Sequence, residues 1–138
     1  MNKASPEPGT ALEMKLDAES ASVAVARHAV SDFARERGAD ADDVALAVSE
    51  AVSNAVIHGF RGRSSGLIDI RAVEDGGSLV VSVSDDGVGV KPNPDSPGLG
   101  LGLALIGSLT EGIEIRRNGH GTTLIMRFPA ANRPTAFS

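Results

Sequence analysis

Hydrophobic positions change period along this chain, and each change marks an element. Leu12, Met14 and Leu16 alternate with polar residues in TALEMKLDA, residues 10–18, and a period of two predicts a strand. From Glu19 to Arg37 the spacing becomes helical, with Val23, Ala26, Val30, Phe33 and Ala34 on one face and Gly38 as a stop signal. Asp40 or Asp42 can cap a second helix that runs to about Gly59, and the acids suit its N-terminal dipole end. After a loop from Arg61 to Gly66, LIDIRAVE (67–74) and LVVSVSDD (79–86) read as strands joined by the turn Asp75-Gly76-Gly77. Val81 and Val83 fall on the face opposite Ser82 and Ser84. GVGVKPNPDSPGLGLG, 87–102, is a flexible run rich in Gly and Pro. It leads into a third helix at about Leu101–Leu109. GIEIRRN (112–118) and TTLIMRFP (122–129) form a last hairpin across Gly119-His120-Gly121.

The order β-α-α-β-β-α-β-β does not alternate helix with every strand, so a doubly wound parallel sheet is excluded. Long hairpins with helices gathered between them predict a two-layer α/β sandwich. Its sheet is expected to be mixed but mostly antiparallel, covered on one face by three helices. A single domain is expected over residues 10–129, with a flexible lead-in at 1–9, where Pro6 and Pro8 lie, and a flexible tail at 130–138.

Composition narrows the function. The 138 residues suffice for one real core. That core is aliphatic, since the chain has four Phe and neither Trp nor Tyr. Without Trp or Tyr there is little to stack single-stranded bases, and a net charge of −5 opposes general binding to a phosphate backbone, so no direct nucleic-acid partner is expected. The chain has no Cys, which excludes disulfides, zinc-thiolate sites and a thiol nucleophile. No apolar run is long enough for a membrane span and MNKASPEPGT is not a signal peptide, so a cytoplasmic protein is expected.

Four stretches carry chemistry. In SEAVSNAVIHGF, Ser49 to Phe60, the residues Glu50, Asn54 and His58 stand four apart. Each step of four turns a helix by about 40°, so they form one slanted stripe. Val44, Val48, Ala51, Val52 and Ala55 flank it on one side, Leu46 and Ile57 on the other, and no Lys or Arg lies between Asp43 and Arg61. A polar stripe between apolar flanks is expected to be a pocket floor rather than a solvated face. The Asn54 carbonyl suits a hard cation such as Mg²⁺, and Glu50 can act as a base. In DDGVG, Asp85 to Gly89, two acids precede glycines that let the backbone approach a ligand. In GLGLGLAL, alternate glycines at 98, 100 and 102 open a helix whose N–H groups suit phosphate. No Gly-Lys-Ser/Thr follows, so this is not a Walker A loop. GHGTT, Gly119 to Thr123, is a tight hairpin that gains meaning only beside the others.

Taken in order, E-x-x-x-N-x-x-x-H on a helix, D-x-G-x-G, G-x-G-x-G before a helix and a late G-T resemble the N, G1, G2 and G3 boxes of the GHKL ATP-binding fold, over residues 10–129. The small size and SEAVSNAVIHGF look most like the bacterial anti-sigma factor serine kinases. The resemblance implies a GHKL-type sandwich and ATP with Mg²⁺ as cofactors. Asn54 would hold the Mg²⁺, and Glu50 would be the general base. Asp85 would bind the adenine amino group with Thr122 beside it. Gly87 and Gly89 would let the chain pass the base, and Gly98, Gly100 and Gly102 would cradle phosphate. His58 would support the site, and Arg27 falls near a partner-contacting arginine of the family. The implied partners are a sigma factor, an anti-sigma-factor antagonist phosphorylated on Ser or Thr, and a second copy in a homodimer. The segment that would form the lid, Val90 to Leu99, is short and holds one basic residue, Lys91. That leaves two rivals open: a nucleotide-gated binding module that transfers no phosphate, and an interaction domain with an empty site.

Overall fold

The computed structural model describes residues 11–59, 66–86, 97–118 and 121–130. Eight elements follow one another: β1 (Leu12–Asp17), α1 (Ala21–Glu36), α2 (Ala41–Gly59), β2 (Leu67–Asp75), β3 (Ser78–Asp85), α3 (Pro97–Leu109), β4 (Gly112–Asn118) and β5 (Gly121–Pro129). The strands form one sheet in the order β1-β2-β3-β5-β4, and every ladder is antiparallel. The parallel component expected from the sequence is therefore absent from the described strands. The two-layer sandwich with three helices stands as expected.

Alternation sorts the sheet into an apolar face and a polar one. Ile68, Ile70 and Ala72 of β2, Leu79, Val81 and Val83 of β3, and Met126 and Phe128 of β5 are buried beneath the helices. The opposite face carries exposed ion pairs, Lys15 with Asp69 and Arg116 with Glu114, each of the kind that contributes little to stability. Gly76 and Gly77 both take positive φ, 58° and 88°, where Asp75 pairs with Ser78. This tight two-residue turn matches the twist of the strands.

The helices start and stop where the sequence signals lie. Asp40 caps α2: its Oδ1 accepts the N–H groups of Asp42 and Asp43, each at 3.0 Å. Gly38, at φ 76°, ends the turn after α1. Between them Arg37 is buried, with its guanidinium 3.6 Å from the Phe33 ring centroid and its Nε 3.9 Å from Glu74 Oε1 on β2. Ala130 is buried too; its N–H reaches the Gly77 carbonyl and it bridges Ala39, so the fold runs one residue past the expected end. The rest of the expected tail and the lead-in at 1–9 lie outside the described residues.

Two further expectations need correction. The third helix begins at Pro97, not Leu101, so Gly98, Gly100 and Gly102 lie within it rather than in a loop before it. A proline suits the first helical turn, since its fixed φ is helical and its missing N–H would have had no partner there. The second concerns α2. Val44, Val48, Ala51, Val52 and Ala55 are buried as expected, but Leu46 and Ile57 are 48% and 61% exposed. They form no wall.

One buried polar atom of α2 is left over. Ser49 Oγ is inaccessible and has no hydrogen-bond partner among the described residues. Removing an unsatisfied hydroxyl from a helix interior costs no hydrogen bond and gains helix propensity. Ser49→Ala is therefore expected to hold or raise stability, by up to about 1 kcal/mol, in a denaturant titration.

Candidate functional site

The site forms where α3 crosses α2. Glu50 and Asn54 are half-buried on α2, one turn apart. Gly102 of α3 is buried and faces them both. A Cβ placed on Gly102 would stand 2.6 Å from Glu50 Oε2 and 2.8 Å from Asn54 Nδ2. Only hydrogen leaves room for these two side chains where they now stand. One turn further along α3, Ile106 is fully buried in the core and anchors the crossing. The second wall of the polar stripe is thus the glycine face of α3, not Leu46 and Ile57. His58 lies on α2 within the last turn, and its side chain is outside the described set.

Sheet register assembles the other half. Asp85, the last residue of β3, pairs directly with Thr122 of β5 and with Ile68 of β2. All three belong to the helix-covered face, because Ile68 shares that face with Ile70. The neighbouring acid has different work. Asp86 Oδ1 accepts the Leu67 N–H at 3.0 Å, and its own N–H reaches the Leu67 carbonyl at 3.3 Å. Asp86 therefore ties down the start of β2, while Asp85 stands at the site end of β3.

Gly121, read from the sequence only as part of the GHGTT hairpin, borders this half of the candidate site. Its φ is 149°, and an added Cβ would overlap the Asp85 carbonyl oxygen and lie 2.9 Å from its carbon. The strand carrying Thr122 can lie this close to Asp85 only because Gly121 has no side chain. On the outer face Ser84 and Thr123 share a 2.8 Å hydrogen bond that clasps the same two strands.

The remaining candidates divide by location. Gly98 and Gly100 lie in the first turns of α3. Gly87, Gly89 and most of the expected lid, including Lys91, lie outside the described residues. Arg27 is half-buried on α1 and has no ion pair with a described residue. No group of three or more His, Asp or Glu able to hold a metal unaided occurs among the described residues. A cleft lined by Asp40, Asp43, Ser108, Thr110 and Phe128 lies at the other end of α2 and contains none of the predicted residues.

The candidate site thus sets a half-buried Glu and Asn against a helix-borne glycine, with an Asp-Thr pair on the adjoining sheet. The profile of the histidine kinase-like ATPase domain matches residues 16–128, and the chain belongs to that family. Within it, the chain is 34% identical over 131 residues to an anti-sigma F factor of Clostridium acetobutylicum, covering 84% of this chain and 91% of the relative. It is 35% identical over 98 residues to blue-light-activated histidine kinase 2 of Erythrobacter litoralis, covering 67% of this chain and 28% of the kinase. Among solved structures it resembles the RsbU and RsbW domains of a Mycobacterium tuberculosis protein, with a TM-score of 0.71 and 30% identity. That match covers 95% of this chain and 35% of the other. Nucleotide binding follows from the family. No described helix is long and apolar enough to cross a membrane.

Proposed function

We propose that this chain is an ATP-binding anti-sigma factor that sequesters a sigma factor and phosphorylates an anti-sigma-factor antagonist on Ser or Thr. The observation that carries the reading is the seating of Gly102 against Glu50 and Asn54, on a chain similar over nearly its whole length to anti-sigma F factors. It keeps two polar side chains half-buried at a helix crossing, next to the helix whose first turns carry Gly98 and Gly100.

The donor set fits Mg²⁺. Asn54 supplies a hard amide oxygen, of the kind this ion accepts alongside water and phosphate oxygens. When bound, Mg²⁺ would neutralise charge on the phosphates. Asn54 would hold it, and the α3 N–H groups would meet phosphate oxygens. Asp85 would accept a hydrogen bond from the adenine amino group, with Thr122 next to it and Gly87 and Gly89 giving the base room. His58 would support the wall. Glu50 would accept the proton of the incoming Ser or Thr hydroxyl. As that oxygen bonds to the γ-phosphorus, the bond to the β–γ bridging oxygen breaks, and ADP leaves with its electron pair. Phosphate on the antagonist would add about two negative charges and release it.

The start of α3 at Pro97 favours one rival. It leaves only Asp86 to Ser96 between β3 and α3, with Lys91 as the sole basic residue of that connection. A short lid weakens transfer more than binding, so a nucleotide-gated module that never moves phosphate is the alternative. Incubation with γ-labelled ATP, Mg²⁺ and the antagonist separates the two. Label on the antagonist, lost in Glu50→Ala while calorimetry still shows ATP binding, is expected for the kinase. Unlabelled antagonist with intact ATP binding would leave the module. If neither the wild type nor Asp85→Asn binds Mg·ATP, the nucleotide reading itself fails. The same proposal makes the protein a homodimer, which light scattering would show.

A further inference from the structure

The row through Asp85 and Thr122 does not end at Thr122. In register it runs Leu16, Ile68, Asp85, Thr122, Arg117, from one edge of the sheet to the other. Successive residues of a strand point to opposite faces. On β4, Arg116 belongs to the outer face, where its Nε meets Glu114 Oε2 at 2.7 Å; this contact holds the Glu114 carboxyl below its ordinary range. Arg117 belongs to the helix-side face, is exposed, and has no ion pair with any described residue.

The surface around it is open. Ile113 and Ile115 share the face of Arg117 and are 38% and 36% exposed, although their register partners Met126 and Leu124 are fully and half buried. The helices therefore cover the row up to β5 and leave its β4 end bare. Strands lie about 4.8 Å apart, so Arg117 Cα stands roughly 10 Å from Asp85 Cα. A purine bonded at its amino edge to Asp85 and lying past Thr122 spans part of that distance. An arginine side chain covers the rest.

We propose that Arg117 is a further nucleotide-contacting residue, its planar guanidinium packing against the adenine ring from the open edge of the sheet. The inference rests on Asp85 and Thr122 holding the base. Arginine suits the task because its flat, weakly hydrated cation stacks on aromatic bases, which an ammonium does not. The contact also places a positive charge at a site that holds two carboxylates, Glu50 and Asp85.

Calorimetry on the full chain with Mg²⁺ tests this, using ATP, adenosine and inorganic triphosphate as separate probes. Arg117→Ala is expected to weaken ATP and adenosine alike by about 5- to 10-fold and to leave triphosphate unchanged. Arg117→Lys should recover only part of the loss, and Arg116→Ala should stay within about 2-fold of wild type. Arg117 is exposed, so the variants should fold, and circular dichroism checks this. An Arg117→Ala protein that binds ATP within about 2-fold of wild type overturns the inference while the nucleotide reading stands. A loss that falls equally on triphosphate also overturns it, since the contact would then be to phosphate. A wild type that binds no ATP overturns both.

Discussion

Gly102→Ala is expected to fold and to fail. The new methyl would meet Glu50 Oε2 and Asn54 Nδ2 at 2.6 and 2.8 Å, and one of the partners must give way. Both atoms are the free ends of flexible side chains, so the backbone can stay where it is. Alanine also raises helix propensity by about 1 kcal/mol over glycine, which offsets the local crowding. Thermal stability should therefore stay within a few degrees of wild type. Function should not. The displaced ends are the groups that would hold Mg²⁺ and take the proton, and a misplacement of about 1 Å can cost 100-fold in rate. Labelled phosphate transfer to the antagonist should fall by at least about that factor, with Mg·ATP affinity reduced in calorimetry. Glu50→Ala, by contrast, should lose transfer and keep binding. A Gly102→Ala protein with wild-type affinity and transfer would show that the crossing of α3 over α2 is not the site.

Gly121→Ala should fail in the opposite order, through folding. Its Cβ would overlap a backbone oxygen, that of Asp85, and a backbone group held by ladder pairing to both β2 and β5 cannot rotate away as a side-chain end can. The residue also sits at φ 149°, where an L side chain is strained. Overlap and strain together should cost about 3 kcal/mol or more. For a domain of this size that is a fall in Tm on the order of 10 °C, readable by circular dichroism. ATP affinity should drop with it, because pushing β5 from β3 separates Thr122 from Asp85. Gly76→Ala is the control: an added Cβ there meets nothing within 4 Å, and only its φ of 58° is strained. It should cost about 1–2 kcal/mol and leave ATP affinity alone.

The contrast between these glycines shows where sequence reading stops. Glu50, Asn54 and Asp85 were legible as candidates because their signals are local: a step of four on a helix, and an acid before glycines at the end of a strand. The order of the motifs sufficed for the family. The wall of the stripe was not legible. Leu46 and Ile57 carry the same hydrophobicity as Val48 and Val52, and only the packing of the helices decides that one pair is exposed and the other buried. The start of α3 was misplaced because alternate glycines read as loop, while tertiary contact through Ile106 and Gly102 overrides their low propensity.

By itself, the sequence determined the elements, their order, the two-layer class, and which residue types could meet a nucleotide. Periodicity and capping act over a few residues, so one chain suffices to state them. The tertiary structure alone decided who faces whom: Gly102 against Glu50 and Asn54, Gly121 against the Asp85 backbone, Asp86 turned to Leu67, and Arg117 in line with Thr122. Those contacts join segments far apart in the chain. Strand register and helix crossing set them, and both are fixed only when the whole core packs at once.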